Sequence, residues 1–199
     1  MLSSMTLEQK VAQMMMVSCH EGVNIDAASS YGVGGICLYA HSFADKNADE
    51  VKAMIDLYQN VTNIPLLVSA DEEGGTVVRV SSNPLLRETP FLSPQELKAQ
   101  GGLDLVKSDT EEKSQLLKSL GVNVNLAPVC DIPLDETNYI YDRCYSLDAD
   151  ETSQYVSTVV SSMKLNGVGS CLKHFPGYGG SVDTHESMSY DTREYSAFE

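Results

Sequence analysis

The run KHFPGYGGSVDTH at residues 173–185 holds a lysine, two of the chain's four histidines and an Asp-Thr-His triplet. An imidazole titrates near pH ~6.5, so it can both give and take a proton close to neutrality. A carboxylate beside it can fix its tautomer and stabilise its protonated form. Asp183 and His185 are therefore a candidate acid/base pair, with His185 moving the proton and Asp183 orienting it. Pro176, Gly177, Gly179 and Gly180 forbid a helix here and demand a shaped loop. The loop follows a short apolar run at 168–172 that reads as a buried strand. Barrel enzymes keep their chemistry at the C-terminal ends of their strands, so a lysine ending such a strand points into the mouth. Lys173 is on that ground a candidate ligand for a polar substrate. The competing reading is a surface loop in which histidines cluster by chance. A metal reading of Asp183, His185 and His174 lacks a third well-spaced ligand.

A second charged loop, Asp71-Glu72-Glu73-Gly74-Gly75 with Arg79 beyond it, follows another apolar run. Carboxylates accept hydrogen bonds from vicinal hydroxyls, and an arginine fork donates two in one plane. Asp71 and Arg79 can thus clamp a sugar; a turn of solvated acids is the alternative. Arg143 and His41 lie in loops, where a solvated side chain is the default reading for each.

The 173–185 run resembles the KHFPGHG…DSH signature of glycoside hydrolase family 3, in the branch of the bacterial β-N-acetylglucosaminidases. Tyr178 stands where that pattern usually has His, and Thr184 where Ser is common. Residues 71–79 resemble the family's DxEGGxVxR motif, with Thr76 in place of a common arginine. The segment GVNVNLAPVCD at 121–131 resembles the family's fourth strand, and Arg143 the arginine of its GRSFS element, with Cys144 in place of Ser. The resemblance implies that Asp71, Arg79, Arg143, Lys173 and His174 bind sugar, that His185 is the acid/base, and that Asp183 orients it. It also implies a retaining hydrolase that removes terminal β-linked N-acetylglucosamine from cell-wall or chitin-like saccharides, with no cofactor and no metal. Retention needs a carboxylate nucleophile. In this family that aspartate follows a later strand, and no residue of the chain takes the role. A β-glucosidase, transfer of the glycosyl group to phosphate, and an inert or binding-only fragment stay open as alternatives.

The elements that must position these residues alternate along the chain. Thr6 and Gln9 form a capping-box pattern at the start of a helix, and the apolar run 11–17 passes from helix into a first strand. A short helix is predicted at 24–31, a strand at 34–39, and an amphipathic helix at 45–60 with Val51, Met54, Ile55 and Tyr58 on one face. A third strand at 66–70 leads to the acidic loop; Pro90 and Pro94 mark irregular chain before a helix at 104–120. Then come a strand at 122–127, a long loop, a helix at 150–166, the strand at 168–172 and the start of a helix at 193. Such alternation gives a parallel barrel or a doubly wound sheet. No GxGxxG follows the first strand, which weakens a dinucleotide-binding version. The family resemblance selects an α/β fold of TIM (β/α)8 type, of which residues 1–199, as the N-terminal part of the catalytic barrel, supply about the first five strands. Open edges on the first and fifth strands then invite self-association.

A formal net charge of −15 argues against nucleic acid or an anionic membrane as partner and reads as simple solubility; the carbohydrate partner is what the family resemblance implies. The five cysteines include no CxxC pair, which argues against zinc. Cys37, Cys130 and Cys171 lie in or beside apolar runs and read as small core residues of a reducing compartment. No apolar run approaches the ~20 residues that span a membrane, and no leader is visible at Met1, so a cytoplasmic protein is expected.

Overall fold

The computed structural model describes residues 2–19, 29–178, 182–190 and 192–198. Helix α1 (Leu7–Gln13) opens on the predicted capping box: Thr6 Oγ1 accepts from the Gln9 amide at 3.3 Å, and Gln9 Oε1 from the Thr6 amide at 2.9 Å. Strand β1 (Met16–Cys19) follows at once. The helix predicted at 24–31 lies partly outside the described residues; its last part, 29–31, is helical. Strand β2 (Gly35–Leu38) is buried along its whole length. A single turn, α2 (Ala40–Phe43), leads to α3 (Ala48–Asn60), whose start is fixed by an Asn47/Glu50 capping box. Strand β3 (Leu67–Ala70), helix α4 (Pro94–Leu120), strand β4 (Val124–Asn125), helix α5 (Ala149–Asn166) and strand β5 (Gly169–Ser170) complete the order.

All the neighbouring strands pair in parallel, and their spatial order is their chain order, β1 to β5. A doubly wound sheet reverses its strand order at a switch point. This sheet does not, so it is an arc of a barrel wall, with β1 and β5 as its two ends. Its helices cover one side. Ile36, Leu38, Val68 and Ala70 pack against Phe43, Val51, Ile55, Leu117 and Leu120, all nearly inaccessible. A second cluster joins Val106, Tyr155, Val159 and Met163 to Ala127 and Val168, with Tyr145 stacked on Tyr155 at 4.5 Å.

Four elements differ from expectation. The strand predicted at 122–127 keeps only Val124–Asn125 in the ladder, and the helix predicted from 193 is a 3-10 turn at Tyr195–Phe198. The other two differ for physical reasons. The helix predicted at 104–120 begins ten residues earlier, because Pro94 is its first residue and not a breaker. Proline lacks an N–H that is unpaired there anyway, and its fixed φ suits the first turn. Ser93 and Glu96 cap it, and Gly102 (φ 61°, ψ −148°) kinks it where the sequence reading began the helix. The strand predicted at 168–172 keeps only Gly169 and Ser170 in the ladder, both exposed. Val168 is buried, but Cys171 and Leu172 face outward, since β5 has no outer neighbour among the described residues. Cys171 is therefore exposed and Cys130 half-buried; of the three cysteines expected in the core, Cys37 is buried.

Candidate active site

The site is built outward from β4. Asn125, fully buried, uses its side-chain amide as a piece of backbone: Oδ1 accepts from the Glu72 N–H at 2.9 Å, and Nδ2 donates to the Glu72 carbonyl at 2.9 Å. Asn123 does the same for β3, bonding the Val68 N–H at 2.8 Å and the Leu66 carbonyl at 3.0 Å. These side-chain bonds extend the contact between the strands beyond the two-residue ladder of β4. They also aim the acidic loop after β3.

Glu72 then turns inward. Its carboxyl group is fully buried and receives the amides of Arg79 (2.8 Å), Val80 (2.6 Å) and Ser81 (3.2 Å), together with the Ser81 hydroxyl. A buried carboxyl group must find donors, and here it finds the turn that carries Arg79. Sequence reasoning missed this role: Glu72 is no ligand for a sugar, but the peg on which the Arg79 turn hangs.

Glu73 is the hub, and it too was missed. Its carboxylate receives Arg143 Nε at 3.0 Å and Nη2 at 2.8 Å, a two-point fork. Lys173 Nζ lies 2.5 Å from the same group and 2.7 Å from Asp71 Oδ1. Behind it, the buried Lys113 donates to the Glu73 carbonyl at 3.0 Å and pairs with Asp109 at 3.0 Å inside α4. Burial works against the Arg143 charge, but the Glu73 carboxylate outweighs it and leaves the guanidinium pKa above its ordinary value.

His174 joins the same network. Its Nδ1 lies 2.6 Å from Asp131 Oδ2, and its Nε2 lies 3.0 Å from Arg143 Nη2. A guanidinium can only donate, so Nε2 accepts and Nδ1 donates to Asp131. Asp131, nearly inaccessible, also receives the amides of His174 (3.1 Å) and Tyr178 (2.8 Å). The remaining open positions are few. Both N–H donors of Arg143 Nη1 and the second oxygen of Asp71 have no hydrogen-bond partner among the described residues. Arg79 Nε is buried and equally unpartnered there.

Asp183 and His185 form their pair. Asp183 Oδ1 accepts from the His185 amide at 2.9 Å and lies 2.7 Å from Nδ1 of the ring. The His185 amide, then its imidazole, hold the Asp183 carboxyl below the usual carboxylate range. The His185 side chain is 80% exposed, so its Nε2 faces outward and is open to a reactant. His41 instead bonds the Cys19 carbonyl at 2.9 Å and stacks on Tyr39, a local structural role.

Residues 6–199 match the model of the glycosyl hydrolase family 3 N-terminal domain. The chain belongs to that family. A β-hexosaminidase of Photobacterium profundum is 32% identical over 165 residues, covering 81% of this chain and 47% of the relative. A solved family 3 β-N-acetylglucosaminidase from a Paenibacillus species superimposes with a TM-score of 0.86 at 27% identity, over 98% of this chain and 38% of that one. A β-N-acetylhexosaminidase from Beutenbergia cavernae gives 0.80 at 25% identity, over 90% and 56%. The chain thus spans about half the length of the curated relatives it matches. The parallel sheet in chain order is the family's barrel wall in part. No helix among the described residues is long and apolar enough to cross a membrane.

Set against the sequence expectations, the fold brings Asp71, Arg143, Lys173 and His174 into one bonded cluster at the C-terminal ends of β3 to β5. Arg79 reaches that cluster only through its own backbone and Glu72. Asp183 and His185 hydrogen-bond to each other in a turn further along the chain. Both ring nitrogens of His174 are taken by protein partners, so neither is open to a ligand while those bonds stand.

Proposed function

We propose that this chain is the substrate-binding and proton-transfer part of a retaining β-N-acetylglucosaminidase acting on terminal β-linked sugars of cell-wall or chitin-like saccharides. The observation that carries the reading is the Glu73-centred cluster: a rigid set of paired charges with an acceptor on Asp71 and donors on Arg143 left over. A sugar hydroxyl both donates and accepts, and it fits between such atoms. The same chemistry is what the names of the relatives describe for them. In this reading Asp71, Arg79, Arg143 and Lys173 bind the sugar. His185 donates its proton to the leaving oxygen and later takes one from water, while Asp183 orients the imidazole. A positioned acid/base of this kind contributes roughly 10²–10⁴-fold in rate. The carboxylate nucleophile comes from outside residues 1–199. All five cysteines are free thiols, which favours a cytoplasmic setting.

The test uses 4-nitrophenyl N-acetyl-β-glucosaminide and NMR of the first-formed sugar. The protein extended through the rest of its barrel is expected to release the β-anomer, and residues 1–199 alone to bind N-acetylglucosamine without turnover. Release of the α-anomer, or preference for the plain glucoside, overturns the reading. Adding inorganic phosphate separates hydrolysis from phosphorolysis by the appearance of a sugar 1-phosphate.

A further inference from the structure

Tyr178 is anchored from three sides. Its amide is held by Asp131 at 2.8 Å, and its ring stands edge-on to His174 (5.0 Å, 70°) and to Tyr139 (5.2 Å, 89°). Its hydroxyl is hydrogen-bonded to the hydroxyl of Thr184. Thr184 lies between Asp183 and His185, in a turn closed by the Asp183 side chain and carbonyl. That carbonyl receives the amides of Glu186 and Ser187, each at 3.1 Å. Asp131 therefore holds His174 on one side and, through Tyr178, the Asp183–His185 turn on the other. The turn itself is exposed, and the Tyr178–Thr184 hydroxyl pair ties it to a ring that is packed. Tyr178 and Thr184 are also the two positions at which this loop departs from the family pattern, and they meet each other. His and Ser at those positions would have a different reach; a phenol extends its hydroxyl farther from the backbone than an imidazole extends a ring nitrogen.

We infer that Tyr178 and Thr184 act as one unit of positioning residues, holding the Asp183–His185 pair in register with the clamp through Asp131. Calling that pair an acid/base rests on the proposed function; the hydroxyl link does not. Neither residue touches the reacting atoms. The chemistry asked of them is a hydrogen bond between two neutral hydroxyls, which removing or replacing the hydroxyl on either side abolishes.

The test is amide hydrogen exchange, residue by residue, on the 199-residue chain. Tyr178→Phe and Thr184→Val should each speed exchange at His185, Glu186 and Ser187 by about two- to ten-fold, the range expected for loss of one such bond. Adding Thr184→Val to Tyr178→Phe should speed exchange no further, because the link it removes is already gone. Thr184→Ser should return protection to the parent level. Exchange in α4 and α5 should not change in any variant. Unchanged exchange at 185–187 in Tyr178→Phe, or additive effects in the double variant, overturns the inference. A second arm uses the extended, active protein: Tyr178→Phe should lower kcat most for substrates with poor leaving groups and leave KM nearly fixed. If the parent protein hydrolyses no glycoside, the functional reading fails while the exchange result still stands or falls by itself. If exchange responds and the leaving-group dependence does not, the link is structural only and the positioning role is lost.

Discussion

Replacing Glu73 by glutamine tests the centre of the cluster with little change in volume. Three contacts depend on the charge: Arg143 Nε, Arg143 Nη2 and Lys173 Nζ. Glutamine offers one acceptor oxygen and a donor amide, so part of the Arg143 fork would face N–H against N–H. Asp71 would stay as the counter-charge for Lys173, but Arg143 would have none within bonding distance. Removing one partner of a buried pair costs about 3–5 kcal/mol. The side chains of Arg143 and Lys173 retain 17% and 13% of their exposure, which places this case at the lower end, about 3 kcal/mol. With a urea slope of about 2 kcal/mol per molar, the midpoint should fall by about 1.5 M. The thermal midpoint should fall by about 6–12 °C for a chain of this size. Glu112→Gln is the control: it breaks the Arg87–Glu112 pair, whose acid is 59% exposed, and should change stability by less than about 1 kcal/mol. The assay is reversible urea unfolding followed by far-ultraviolet circular dichroism. A Glu73→Gln midpoint within 0.3 M (roughly 0.6 kcal/mol at that slope) of the parent would refute the view that this charge holds the site together.

Arg143→Lys should weaken binding of N-acetylglucosamine although charge is kept, because one ammonium cannot serve both oxygens of Glu73 and His174 Nε2 together; calorimetric titration reads the loss, and equal affinity would make Arg143 a bystander. Asp183 should titrate below the ordinary ~3.9 of an aspartate, by carbon-detected NMR, and His185→Ala should raise it only part of the way back, because the amide at 185 still donates. The sign follows: the pairing is fully present above the ordinary carboxylate range and is lost only as pH falls through the lowered value, so an acid limb of activity near pH 5 would not be set by Asp183. Thiol labelling at pH 8 should modify exposed Cys171 first and leave Cys144 untouched, since burial pushes the Cys144 thiol up to about 12.

The parts of the fold that local sequence dictates were legible. Capping boxes are read from residues three apart, and both Thr6/Gln9 and the alternation of strand and helix came through. Pro94 did not, because proline breaks a helix from within and starts one from its first position; only Ser93 and Glu96 around it decide which, and their box was overlooked. The site was legible as far as the motifs reached. Glu73 was in view as one acid of three, but its partners lie 70 and 100 residues away, and nothing local separates it from its neighbours. The separation among Asp71, Glu72 and Glu73 is one of direction. Alternate positions after β3 point to opposite sides, so Glu72 is sent inward to the Arg79 turn while Asp71 and Glu73 face Lys173. That alternation could have been used in advance: a strand's two-residue period continues a step or two past its last ladder bond.

The cluster also explains why a neutral sugar could be held by so many charges. Asp71, Glu73 and Asp131 each engage a partner from the loop after β5 or the loop after β4. Charges that are already paired have given up their water when the protein folds, not when the substrate arrives. What remains for a ligand is a set of directions rather than a field: the second oxygen of Asp71 and the Nη1 donors of Arg143. A hydroxyl needs one acceptor and one donor at a defined angle, and a rigid frame offers both at small entropic cost. Lys113 belongs to this frame although it faces away from the site. Its ammonium fixes the Glu73 carbonyl from behind, and Asp109 and the face of Phe91 at 4.9 Å hold the ammonium in turn. The position of Glu73 is therefore set from α4 as well as from β3, so the cluster holds its geometry without a ligand.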